Sequence, residues 1–248
     1  MRNDIFSVLS GLFSAGLSGK NGIDQGEILS RKVEVEAKSY GFQLYVPPPA
    51  QPAGKLPVIV FLHGIRERGT SGVLPVGGGL SQFVRQYFKQ IPAIILIPQC
   101  RPESYWSDPV MDEMVTRALA QTIEEFGADD RRLYLIGVSM GGYGVWHFAA
   151  AYPEKFAALV SICGGSSIVK GERFAAVAKK IGKTPAWLFH GAADKIVPVD
   201  ESRELVKALR ENHGNVRYNE YENVGHNVWM NVLAEKDLMT WLLAQNLK

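Results

Sequence analysis

The sequence has few cysteines, little net charge and no long apolar run, and each shortage excludes a class of protein. Two cysteines among 248 residues are too few for a disulfide-stapled scaffold. The 27 basic and 25 acidic side chains leave a net charge of +2 and are interspersed, so we expect no nucleic-acid partner. The best apolar run, Ile91–Ile97, contains a proline and is far shorter than the roughly 20 residues that cross a bilayer, so we expect no membrane span. With 46% hydrophobic residues, the chain can nevertheless bury a large core.

Residues 1–30 are interpreted as an N-terminal extension. Ile5, Leu9 and Phe13 are spaced as on one face of a helix, which predicts a short amphipathic helix packed on the body of the protein. The alternative is a secretory signal segment. Asp4 at its start and the lack of an Ala-x-Ala-like cleavage site favour the helix. We therefore expect a cytoplasmic protein, with secretion as the alternative.

Residues 31–248 are interpreted as one α/β domain, because strand-length apolar runs alternate with helical segments and no linker separates two cores. The first two runs alternate apolar and polar residues, which predicts an antiparallel hairpin. Most later runs are apolar throughout, as in a parallel sheet covered on both faces. Right-handed crossovers then give a wound, mostly parallel eight-stranded sheet with helices on both faces. The predicted strands are Lys32–Ala37, Gly41–Val46, Pro57–Leu62, Ala93–Ile97, Leu133–Ile136, Ala158–Ile162, Ala186–Phe189 and Val216–Tyr221, and the predicted helices include Pro109–Phe126, Asp200–His213 and Val232–Leu247.

The segment after the run Leu133–Ile136 has the pattern Gly-x-Ser-x-Gly, with Ser139 at its centre and a helical run behind it. A sharp turn from strand to helix leaves room only for glycine on either side of the serine, and it exposes the serine hydroxyl above the sheet. The pattern therefore predicts a nucleophile. The alternative is a serine that only caps the helix.

A serine nucleophile needs a base and an orienting carboxylate. His226 follows the last predicted strand in a glycine-bearing loop, and Asp194 directly follows the strand Ala186–Phe189. Both are expected at the carboxyl edge of the sheet, where ligands bind in α/β proteins. Asp200, another candidate for the carboxylate, is better explained as a helix cap. The alternative for His226 is an ordinary histidine in a surface loop. The order Ser139, Asp194, His226 is the chain order of an α/β-hydrolase triad.

Two backbone N–H groups are candidates for an oxyanion hole, which stabilises the tetrahedral intermediate of acyl transfer. One belongs to Met140, directly after the serine. The other belongs to Ile65, in the loop that follows the strand ending at Leu62, if Gly64 permits the turn. The alternative for Ile65 is that this glycine-containing loop has no role in an oxyanion hole.

These stretches together resemble the serine esterases of the α/β-hydrolase fold, in their phospholipase/carboxylesterase and "predicted peptidase" branch. The matching segments are Phe61–Gly64 with Glu67–Gly69, Pro98–Cys100 with Trp106, Asp130–Arg131, Gly137–Gly144, Ile162–Gly165, His190–Gly191 with Asp194, and Gly225–Trp229. The resemblance implies that residues 31–248 are a catalytic domain hydrolysing short-chain or aryl carboxylic esters through a Ser139 acyl-enzyme, without metal or organic cofactor. The expected partner is a small-molecule ester, in a monomer or a small homo-oligomer. A feruloyl-type esterase or a serine peptidase with the same triad is the alternative, and a non-catalytic binding protein of this fold is a more remote one.

Arg66 departs from this branch, which commonly has glycine there. Its side chain is expected in solvent, and a contact with a substrate carboxylate is the alternative. Trp106 and Tyr105 are candidates for the wall of a substrate pocket, although buried packing explains Trp106 equally well.

The fold implied by the resemblance also separates the two cysteines. It places two strands between those that precede Cys100 and Cys163, a distance of ~14 Å at ~4.8 Å per strand, which is beyond the reach of a disulfide. We therefore expect two free thiols.

Overall fold

The computed structural model describes residues 26–48, 54–73, 91–166 and 173–247. The predicted N-terminal helix lies outside these ranges. In them an eight-stranded sheet has the order β1-β2-β4-β3-β5-β6-β7-β8. Strand β2 pairs antiparallel with both β1 and β4. The six strands β3 to β8 run parallel to one another. The strands are β1 (Glu27–Val35), β2 (Lys38–Val46), β3 (Val58–Leu62), β4 (Ile94–Pro98), β5 (Leu133–Val138), β6 (Ala158–Ile162), β7 (Ala186–Gly191) and β8 (Val216–Tyr221).

Six α-helices occur in the described ranges: α1 (Pro109–Phe126), α2 (Met140–Ala151), α3 (Arg173–Ile181), α4 (Asp200–Glu211), α5 (Trp229–Val232) and α6 (Leu238–Leu243). A single 3₁₀ turn, Ile65–Glu67, follows β3. None of these helices combines the length and the apolar character that a bilayer span requires. The wound sheet with helices is the predicted fold class, which is confirmed.

The central strands are buried on both faces because their side chains alternate between two hydrophobic clusters. Along β3, Val58, Val60 and Leu62 belong to one cluster, whereas Ile59 and Phe61 belong to the other. Helices α1 to α4 pack on the first cluster and α5 and α6 on the second. Each strand therefore has apolar neighbours above and below, and the carboxyl edge of the sheet remains for polar residues.

Two elements differ from their predictions by more than three residues. Strand β1 begins at Glu27 rather than Lys32, because the first residues of this edge strand are mostly exposed and carry no apolar alternation. The predicted helix Val232–Leu247 was wrong: the chain forms the short helices α5 and α6 instead. Between them, the Glu235 carboxylate accepts hydrogen bonds from the Tyr221 hydroxyl and the Asn219 amide of β8, which ties the chain to the sheet where a continuous helix was expected.

The two cysteines are free, as expected, and both are buried. Cys100 follows β4 and Cys163 follows β6, with β3 and β5 between these strands in the sheet.

The ends of β3 and β4 are joined through the buried side chain of His63. Its Nδ1 is 2.6 Å from the carbonyl oxygen of Gly64, and its Nε2 accepts the backbone N–H of Cys100 at 3.0 Å. The indole N–H of Trp106 donates to the carbonyl oxygen of His63 at 3.0 Å. Because Nε2 acts as an acceptor, the ring is neutral with its proton on Nδ1. Burial lowers the pKa of His63 from 6.5 to about 4, with the nearby Arg68 acting in the same direction and the bond to Gly64 opposing it.

We predict that His63 makes the fold sensitive to acid. Between pH 6.5 and 4 the unfolded chain binds a proton at this position that the folded protein excludes, so the free energy of unfolding falls as the pH drops through this window, by about 3 kcal/mol in all. Urea unfolding at pH values of about 7 and 5, an interval that covers about 2 kcal/mol of this loss, measures it. In His63→Gln the loss is expected to be smaller, with the remainder coming from other groups such as His190, whose pKa burial also lowers. An equal loss in both proteins would contradict the assignment.

Candidate active site

The turn between β5 and α2 holds Ser139 in a strained conformation, with φ 55° and ψ −117°. Positive φ is uncommon for a residue with a side chain and costs free energy. Two glycines make the turn possible. A Cβ on Gly141 would overlap the carbonyl oxygen of Leu62 at the end of β3, and a Cβ on Gly137 would overlap the carbonyl oxygen of Gly141. The sequence pattern thus has a steric cause, which is the close approach of α2 to two strand ends.

The structure brings together the three side chains that the sequence singled out. The Nε2 atom of His226 is 2.8 Å from Ser139 Oγ, and its Nδ1 atom is 2.7 Å from Asp194 Oδ2. Both contacts are hydrogen bonds when Nδ1 carries the proton and Nε2 accepts the serine hydroxyl. The Asp194 side chain is 0% exposed and that of His226 is 21% exposed. The three groups therefore form a continuous hydrogen-bonded chain from a buried carboxylate to the hydroxyl of the half-buried Ser139.

Asp194 is held as a carboxylate by its surroundings. Its Oδ1 accepts the backbone N–H groups of Ile196 at 2.8 Å and Val197 at 3.0 Å. Burial pushes the pKa of Asp194 upward, but the bond to His226 and the two backbone bonds outweigh it, so the pKa lies below its ordinary value. The carboxylate is therefore ionised at neutral pH and stabilises positive charge on the imidazole.

His190 supports the same loop, and sequence reasoning missed this role. The ring is fully buried, with Nδ1 2.7 Å from Ser202 Oγ and Nε2 3.0 Å from the carbonyl oxygen of Val197. Its Nε2 also lies 3.4 Å from Asp194 Oδ2. The only signal in the sequence was a His-Gly pair at a strand end, four residues before Asp194.

The loop proposed for the oxyanion hole lies against the serine. A Cβ on Gly64 would be 3.7 Å from Ser139 Cβ, and Ile65 begins the 3₁₀ turn directly after it. The backbone N–H groups of Ile65 and Met140 have no hydrogen-bond acceptor within the described part of the chain. Both therefore remain candidates for the oxyanion hole.

The candidate pocket residues lie in different environments. Trp106 is only 1% exposed and packs edge-on against His63, with ring centroids 4.9 Å apart, which is the buried alternative raised from the sequence. Tyr105 is 52% exposed, with the Arg68 guanidinium 5.7 Å from its ring centroid. Arg66 is exposed and forms no ion pair with any described residue.

Comparisons with known proteins agree with this fold. A thermostable esterase of known structure is 33% identical, with 90% of this chain and 64% of the esterase chain covered at a TM-score of 0.78. An acylaminoacyl peptidase from Pyrococcus horikoshii is 16% identical, with 90% and 42% covered at a TM-score of 0.71. A ferulic acid esterase is 15% identical, with 88% and 98% covered at a TM-score of 0.66; these last two likenesses show the fold alone. The chain thus spans less than two thirds of the first esterase, and none of the curated proteins compared with it matches.

The strand order and the sharp serine turn after β5 are those of the α/β-hydrolase fold. A family model described as phospholipase/carboxylesterase matches residues 107–240, more than half of the chain. The chain belongs to this family.

We predict that Gly141→Ala destabilises the protein by about 2–4 kcal/mol, because its Cβ meets the backbone of β3 rather than a movable side chain. Urea unfolding measures the change. Gly54→Ala is the matched control, since a Cβ there meets no atom of the described residues within 4 Å, and it should alter stability by no more than about 0.5 kcal/mol. Equal stability of the two variants would refute the steric account of the turn.

Proposed function

We propose that the protein is a carboxylesterase that hydrolyses short-chain or aryl esters through an acyl-enzyme on Ser139. The observation that carries the proposal is the unbroken chain of hydrogen bonds from Ser139 through His226 to Asp194. A serine hydroxyl is a weak nucleophile at neutral pH unless a base removes its proton as it attacks. The imidazole is in position to do so without moving.

The proposed reaction has two halves. In the first, Ser139 Oγ attacks the ester carbonyl carbon, His226 Nε2 takes the hydroxyl proton, and Asp194 stabilises the imidazolium. The backbone N–H groups of Ile65 and Met140 donate to the oxyanion. The imidazolium then gives its proton to the leaving alcohol, and the acyl-enzyme remains. In the second half, water attacks the acyl-enzyme with His226 again as the base, which releases the acid and restores Ser139.

The choice of substrate class rests on family membership and on the relatives. Proteins of similar structure include an esterase and a ferulic acid esterase, which supports ester hydrolysis and keeps a feruloyl-type substrate as a candidate. An acylaminoacyl peptidase is also similar, but this chain covers only 42% of it. A panel of p-nitrophenyl esters, methyl ferulate and aminoacyl nitroanilides separates the candidates. Cleavage of the anilides alone would identify a peptidase instead.

We predict that Ser139→Ala lowers kcat/KM for p-nitrophenyl acetate by about 10⁴-fold or more, because the nucleophile is lost while the fold remains. Asp194→Asn should lower kcat strongly too, since it no longer favours the required tautomer of His226. Ser30→Ala, which removes an exposed hydroxyl on the edge strand β1, should match the wild type. If Ser139→Ala retained wild-type turnover, the proposal would fail, and a fold without catalysis would become the better account.

We also predict that Ile65→Pro lowers kcat by about 10²–10³-fold, whereas Ile65→Ala changes it by no more than a few-fold. Both variants lose the isoleucine side chain, but only proline also removes the backbone N–H that is proposed to bind the oxyanion. The backbone tolerates it, because Gly64 is already extended, at φ −78° and ψ −179°, and Ile65 is the first residue of its helical turn. Steady-state kinetics on both variants, with circular dichroism as the check on folding, measure the effect. Equal activity of the two variants would remove Ile65 from the oxyanion hole.

A further inference from the structure

Cys163 lies beside the proposed catalytic groups, and the reaction above makes no use of it. It is the first residue after β6, is fully buried, and has a positive φ of 42°. Its Sγ is 3.6 Å from the backbone carbonyl oxygen of His226. The thiol thus sits directly against the loop that carries the proposed base.

Three types of metal ligand meet at this point. One ligand atom from each of Cys163, Asp194 and His226, a sulfur, a carboxylate oxygen and an imidazole nitrogen, lie within 4.8 Å of one another. No other group of three or more His, Cys, Asp or Glu side chains in the described ranges meets the same condition. Thiolate, imidazole and carboxylate are the ligands that Zn²⁺ takes in proteins, at about 2.0 to 2.3 Å.

The three ligand atoms are not yet at the spacing of a formed site. Bonds of about 2.0 to 2.3 Å at tetrahedral angles place ligand atoms about 3.5 Å apart. The Asp194 and His226 atoms, 2.7 Å apart, would therefore separate slightly, and the sulfur, which is no more than 4.8 Å from either, would move inward by up to about 1 Å. Side-chain rotations on this scale accommodate a cation without refolding either loop.

We propose that Cys163, Asp194 and His226 form an inhibitory site for a thiophilic divalent cation such as Zn²⁺. The cation binds Sγ, a carboxylate oxygen and Nδ1, which is the imidazole nitrogen that faces Asp194. The thiol proton leaves to solvent as the sulfur–metal bond forms. The thiolate and the carboxylate together neutralise the two positive charges, which suits a buried position.

Occupation of this site switches off the base. When the cation takes Nδ1, the proton of the neutral imidazole moves to Nε2. Nε2 can then donate to Ser139 Oγ but cannot accept its proton, so the serine is no longer activated. Inhibition therefore follows from the move of one imidazole proton from Nδ1 to Nε2. The fourth ligand position of the cation remains for water.

The test combines direct binding with activity. Titration with Cd²⁺ gives an ultraviolet thiolate-to-metal charge-transfer band when a cysteine binds the ion. We expect the wild type to develop this band with one equivalent of Cd²⁺, and Cys163→Ser to lose it. The matched control is Cys100→Ser, which changes the other buried thiol and should keep the band. This readout does not depend on ester hydrolysis, so it stands whether or not the proposed function is correct.

Inhibition is measured with Zn²⁺ on p-nitrophenyl acetate hydrolysis. The concentration for half inhibition should be at least tenfold higher in Cys163→Ser than in the wild type or Cys100→Ser. If Cys163→Ser does not fold, Cys163→Ala takes its place. The Cd²⁺ titrations of the wild type and of Cys100→Ser can be carried out without either Cys163 variant. Absence of the band in the wild type would overturn the proposal. Retention of the band, or of wild-type sensitivity to Zn²⁺, in a folded Cys163 variant would also overturn it.

Discussion

The close approach of helix α2 to the end of strand β3 is the constraint on which the rest of the site depends. Gly141 lies against the Leu62 carbonyl and Gly137 against the Gly141 carbonyl, with no room for a Cβ at either position. The chain can leave β5 and enter α2 in so short a distance only by placing Ser139 at positive φ. That strain is sustained by the buried sheet on both sides, and it fixes the hydroxyl within 2.8 Å of His226. A rigid scaffold thus positions the Ser139 hydroxyl, whose proposed reaction requires precise geometry.

The loops around this turn are held by hydrogen bonds to buried polar residues. His63 and Trp106 tie the loop after β3 to the end of β4, while His190 ties the Asp194 loop to α4 through Ser202. Both histidines are buried, and burial lowers the pKa of each, so they serve as neutral connectors. His226 differs because its side chain is partly exposed and faces both an ionised carboxylate and a hydroxyl. The same residue type therefore plays two roles, and the surroundings decide which.

The sequence predicts the parts of this arrangement that depend on local pattern. Glycines around Ser139 and polar residues directly after buried strands mark the carboxyl edge, because the turn and the parallel sheet impose those residue types. The remaining features depend on contacts between distant segments. At the break between α5 and α6, Glu235 is bonded to β8, and Trp106 is buried against His63 and Gly144. Neither contact leaves a periodic signal. The proximity of Cys163 to His226 is of the same kind, since the two residues lie 63 positions apart in the chain.

Mapping the site of covalent reaction tests the central claim most directly. A fluorophosphonate reacts with a serine only when that serine is activated as a nucleophile, and tandem mass spectrometry of the labelled protein identifies the modified residue. The account predicts one adduct per chain, on Ser139, and no adduct when His226 is replaced by alanine. Labelling of a different serine, or full ester hydrolysis by protein in which Ser139 is unlabelled, would contradict it.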